Sequence, residues 1–197
     1  MKEMALPVIS LTDQDSEGSE TELPGIDPFS FFANFNQGIK DEHRREILRI
    51  LKEKLALSSD VPSDFCGIPV VPPMKSWLFG YAFDRTSEDI PTLWELAQAC
   101  IQSGPDELDT QVFDRSLTIK QAGVPKLTMG LFWFNPDDYI ALDSMMTDYL
   151  KPIGIELNPN KVKSLSDYTA ILKEVTTNLG HDFPQISHDA YLHGNKI

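Results

Sequence analysis

The chain has 197 residues, a mass of 22.2 kDa, and 41% hydrophobic and 10% aromatic residues, enough for one domain with a core of its own. Acids outnumber bases 30 to 17, giving a net charge of −13, so its overall charge does not attract nucleic acid or an anionic membrane. Cys66 and Cys100 form no CxxC or Cys/His cluster and read as buried thiols of a reducing compartment. With no leader pattern and no apolar run longer than the seven residues 77–83, a cytoplasmic protein without a membrane association is expected.

Residues 1–25 carry one base, Lys2, against six acids, and stretch 13–22 has no periodicity. They read as a disordered acidic tail whose removal leaves the rest folded, ahead of a single domain over 26–197. A docked edge segment at 6–10 is the alternative.

A helix is expected over 41–57, with Asp41 as cap and Ile47, Leu48, Leu51 and Leu55 on one stripe. Residues 77–83 then read as a strand, because Trp77, Phe79 and Tyr81 alternate onto one face. Helices follow over 90–103, stopped by Gly104-Pro105, and less distinctly over 106–120. A second aromatic strand is expected at 127–134, with Trp133 facing opposite to Phe132 and Phe134 and Gly130 marking a bulge. The clearest helix is 165–179, opened by Ser164-x-x-Asp167 as a capping box and closed by Gly180. A last short helix follows Ser187. Together these give an α+β fold: a single compact domain with about five helices around a small aromatic-rich sheet.

Catalytic patterns are missing from the sequence. There is no GxxxxGK[ST], no HExxH and no GxSxG, and the four histidines lack metal-ligand spacing. No Asp-x-Lys or Glu-x-Lys accompanies Asp137-Asp138, which reads as a turn cap after Asn135-Pro136. Neither catalysis nor a metal or other cofactor is expected in this chain.

Six ordered segments carry a family resemblance: FFANFNQGIKDEHRREILRILKEK (31–54), VPSDFCGIPV (61–70), MKSWLFGYAFDR (74–85), EDIPTLWELAQA (88–99), KLTMGLFWFNPDDYIALDS (126–144) and HDFPQISHDAYL (181–192). In this order the chain resembles the N-terminal region of McrB-type AAA+ proteins of modification-dependent restriction systems. The resemblance implies a target-recognition module for a nucleotide-hydrolysing motor and an McrC-like nuclease. The motor's phosphate loop is not in this sequence, and no base-binding residue carries over.

Two features are candidates for binding DNA. Segment 40–54 holds six of the 17 bases, among which Arg44, Arg45 and Arg49 are candidates for phosphate contacts, with Lys75 and Arg85 flanking the aromatic strand. The competing reading is a solvated face laced with pairs such as Arg49–Glu53. Trp77, Tyr81 and Trp133 are candidates for stacking a base, against the alternative of an ordinary apolar core. The expected target is DNA, modified or not; the alternative is a protein bound by an acidic interaction module.

Overall fold

In a computed structural model of the chain, residues 12–72 and 76–196 are described. The domain is α+β and mostly helical. Strands β1 (Thr12–Gln14) and β2 (Glu20–Glu22) form an antiparallel hairpin. Eight helices follow among the described residues: α1 (Pro28–Ala33), α2 (Asp41–Lys54), α3 (Asp89–Gln102), α4 (Thr110–Thr118), α5 (Val124–Phe134), α6 (Ser144–Leu150), α7 (Leu165–Leu179) and α8 (Phe183–Asn195).

Helices α2, α3 and α7 lie where their apolar period places them. Lys40, not Asp41, is the N-cap of α2, and Asp41 stands in the first turn, where it still favours the helix dipole. In α7 the Ser164 hydroxyl accepts from the Asp167 N–H at 3.2 Å, and Gly180 ends the helix at φ +90°. Expected helix 106–120 shortens to α4, with Asp109 as its cap. The C-terminal helix begins four residues before Ser187, capped by Asp182.

Both expected aromatic strands are absent. Residues 127–134 belong to α5, where 127–132 are buried without interruption. A helix packed on every side has no polar face, so its period disappears and its β-prone aromatics mislead. Segment 77–83 is irregular. Its backbone is held by side chains instead of a ladder: the Leu78 N–H donates to Ser30 Oγ at 2.8 Å and the Ala82 N–H to Asp13 Oδ1 at 2.8 Å.

Asp13 also corrects the expected tail. From Thr12 onward the acidic segment is a hairpin, and Asp13 is buried against Arg85, whose guanidinium donates to its second oxygen. Burial pushes the Asp13 carboxyl up, but Arg85 and the Gln14 and Ala82 N–H groups outweigh it and hold it below the usual range. The alternative docking segment at 6–10 lies outside the described residues.

One large core joins α1, α3, α4, α5, α6, α7 and α8 with the lead-in to α6. At its centre Phe113, Tyr168 and Tyr139 stack, with ring centroids 5.7 and 6.4 Å apart. Tyr168 is fully buried, and its hydroxyl donates to the Ile140 carbonyl at 2.8 Å and accepts from the Ile140 N–H at 3.0 Å. That pair fixes the 139–143 segment leading into α6.

Asp27 caps α1 through the Ser30 N–H at 3.0 Å, while its Oδ2 is buried without a partner. Desolvation raises its pKa from 3.8 to about 6. The native state therefore holds this proton more tightly than the unfolded chain. The group's contribution to stability is greatest below about pH 4 and falls as pH rises through 6. Asp27→Asn keeps the cap without a charge. Its advantage over the parent is expected to grow between pH 4 and pH 7, reaching about 3 kcal/mol, the free energy that corresponds to a carboxyl raised this far. Urea unfolding of both proteins at the two pH values checks this; a constant difference would contradict it.

Candidate functional site

A cleft of about 660 Å³ opens between the start of α2, the 65–72 segment, the start of α5, the lead-in to α6, and α8. That volume suits a drug-sized ligand. The 65–72 segment is fastened over α8 at Gly67, whose φ is +80°. A Cβ there would lie 2.7 Å from the His188 Cα, and the Gly67 carbonyl accepts from Ser187 Oγ at 2.6 Å. Only glycine satisfies both the left-handed backbone and this approach. Two further bonds hold the segment: the Trp133 indole N–H donates to the Pro69 carbonyl at 3.0 Å, and the Val71 N–H to the Asn36 carbonyl at 3.0 Å.

Arg44 forms part of the cleft wall and is buried, with 3% of its surface exposed. Its Nη2 donates to Asn36 Oδ1 at 2.6 Å and its guanidinium lies 3.7 Å from the Phe65 ring centroid. Nε has no partner, and among the described residues no carboxylate reaches Arg44 as an ion pair. Desolvation pulls its pKa down to about 10, against the opposing charge of Asp41.

Also in the wall are Cys66, an exposed thiol, and Tyr191, whose pKa is raised first by the neighbouring Cys66 thiol. Cys100 is the opposite case, buried in the main core and pushed up to about 12 by desolvation. The expectation of two buried thiols holds for Cys100 alone. Asp143 caps α6 through the Met146 N–H at 2.9 Å, and burial raises its pKa.

The candidate basic face of α2 is only partly presented: Arg44 is buried, while Lys40, Arg49 and Lys54 remain exposed. Arg45 donates to the Ser63 carbonyl at 2.8 Å, and Arg49 pairs with Glu46 at 3.1 Å rather than with Glu53. Arg85 is bound to Asp13 and to the Gly80 carbonyl. Lys75 lies outside the described residues. Arg49→Ala is expected to change stability by less than about 0.5 kcal/mol, since a surface pair contributes little; a larger shift of the urea midpoint would show that the pair braces α2.

The stacking candidates are divided. Trp77 and Tyr81 line one small cleft of about 130 Å³ beside Asp13, where Tyr81 is exposed and stacks on Phe83 at 5.9 Å. Trp133 lines a separate groove of about 320 Å³ against Phe32 and Phe65. Neither of these two gathers all three. The Asn135–Asp138 segment is a turn, with Asn135 Nδ2 donating to Asp138 Oδ2 at 2.9 Å, as its sequence suggests. Among the described residues no cluster of three or more His, Cys, Asp or Glu is placed to hold a metal, and no helix is long and apolar enough to cross a membrane.

Arg44, read from the sequence as a phosphate contact, is turned inward instead; the signal for this was its position three and seven residues before Ile47 and Leu51 on the apolar stripe. The meeting of Cys66 with Tyr191 had no local signal, because 125 positions separate them in the chain. No curated protein and no solved structure matches the chain. A family described as a domain of unknown function, DUF8425, matches residues 2–193. The chain belongs to that family.

Proposed function

We propose that this domain is a cytoplasmic target-recognition module, comparable in role to the N-terminal region of McrB-type proteins, and that it binds a protein through the 660 Å³ cleft. In that setting an AAA+ motor and an McrC-like nuclease would act on what the module selects. The module itself binds without catalysing a reaction.

The observation that carries this reading is the engagement of the basic side chains. Arg44 and Arg85 are turned into the fold, Arg45 is held by the Ser63 carbonyl, and the exposed Arg49 is paired with Glu46, on a chain whose net charge is −13. A phosphate-binding face needs exposed cations whose binding releases counterions. The cleft, in contrast, combines an apolar wall with a desolvated guanidinium, the composition of a specific binding pocket.

Cys66 gives direct access to the test, since it is exposed on the cleft wall. The native chain labelled there with a benzophenone maleimide is irradiated in an extract of cells that carry the gene with its neighbours. A discrete protein adduct that disappears in Val70→Trp, which fills the cleft from an exposed wall position, is the expected result. Adducts to nucleic acid, or protein adducts indifferent to Val70→Trp, would overturn it.

A second reading rests on the Tyr81–Phe83 stack, which leaves an aromatic face exposed beside the small cleft. A single unpaired base is the ligand such a face suits. Under this reading Tyr81→Ala removes a preference for one base without unfolding the protein.

A further inference from the structure

We infer that the large cleft takes a carboxylate carried on an apolar body, held by the guanidinium of Arg44. This rests on the cleft being the recognition site and names the chemistry that it recognises.

A buried cation is normally met by a carboxylate, because desolvation costs several kcal/mol per ion unless a charge and hydrogen bonds offset it. Arg44 is nine-tenths buried yet has one neutral amide oxygen and one ring face as its partners. Its Nε is buried with no acceptor, and no carboxylate of the described chain lies within ion-pair distance. The fold holds the side chain ready all the same: Asn36 orients one edge and Phe65 stacks on the plane. A planar fork fixed in this way matches a planar carboxylate.

The remaining wall defines the rest of the ligand. Ile68, Val70, Met129 and Met145 offer an apolar surface, and the two methionines can adjust to its shape. The other charged residues of the wall are Asp41, Asp143 and Lys126. Asp143 is engaged as the α6 cap, and Lys126 donates to the Trp77 carbonyl at 2.7 Å. Two acids in the wall oppose a dianion more than a monoanion, so a phosphate group fits less well than a carboxylate. A free fatty-type acid and the C-terminus of a protein ending in apolar residues both present this chemistry.

The full chain is titrated with octanoate, octanamide, inorganic phosphate, and a short peptide ending in Leu-Leu with either a free or an amidated C-terminus. Arginine Nε–H resonances and the rate of Cys66 alkylation by iodoacetamide are followed. The acids are expected to bind at least ten-fold tighter than their amides, shift the Arg44 Nε resonance and slow alkylation. The tighter of octanoate and the free-ended peptide identifies the source. Val70→Trp should abolish both effects, and Arg44→Gln should remove the preference for acid over amide. If Arg44→Gln fails to fold, the Nε resonance of the parent still decides. Equal binding of acids and amides, preference for phosphate, or an unmoved Arg44 resonance would overturn the inference. A protein adduct at Cys66 together with no acid preference would remove the carboxylate and leave protein recognition standing. Acid binding without any adduct would do the reverse.

Discussion

Replacing Gly130 by alanine is expected to destabilise the domain by about 3 kcal/mol or more, although helix propensity alone predicts a gain of about 1 kcal/mol. Gly130 sits inside α5, and a Cβ there would lie in steric overlap with the Phe29 ring. Phe29 cannot yield easily: it is fully buried and packs edge-on against Phe134 at 5.3 Å. α1 and α5 would have to separate, opening the core where the 77–80 segment also rests on Ser30. Chemical denaturation of Gly130→Ala measures the loss, and Phe29→Leu in the same chain should recover part of it through coupling between neighbours. A raised midpoint for Gly130→Ala would show that the helices are not in this contact.

The second large effect is expected at Asp13. Asp13→Ala leaves Arg85, with 12% of its side chain exposed, facing a vacant partner position, and removes the acceptor of the Ala82 N–H. Breaking such a pair from one side costs about 3–5 kcal/mol where the structure cannot relax. Here the hairpin can release, so the loss appears first as local opening of 77–85, ahead of global unfolding. Faster proteolysis within 77–85 and a lowered thermal midpoint are the expected signs. Acid should act in the same direction. A carboxyl held below its ordinary range contributes stability above that range, and the contribution is lost as pH falls through its native pKa. A chain starting at Ile26 would lose the same pair, contrary to what the tail's composition suggests. An unchanged midpoint and cleavage rate for Asp13→Ala would mean that the hairpin contributes nothing to this loop.

These two residues also show where the sequence was legible. α2, α3 and α7 each keep one wet face, so their 3.6-residue period survives and their positions follow from pattern alone. α5 has no wet face, and its true signals were punctuation: Pro125 in the first turn and Asn135-Pro136 at the end. Asp13 looks like any acid of a low-complexity run, because its partner is 72 residues away. The candidate site was legible in part. Arg44 stood on the apolar stripe of its own helix, whereas the cleft is assembled from five separated segments that no local pattern connects.

DNA binding measured against salt decides between recognition through a cleft and recognition through a basic face. Fluorescence anisotropy is followed for plain, methylated and hydroxymethylated duplexes, from low salt upward, with the parent chain and with Arg45→Ala/Arg49→Ala. Each phosphate neutralised would add about −0.9 to the slope of log affinity against log salt. Recognition through the cleft leaves no binding with such a slope and no difference between the two proteins. Tight binding at low salt, with a steep slope that the double substitution flattens, would contradict it.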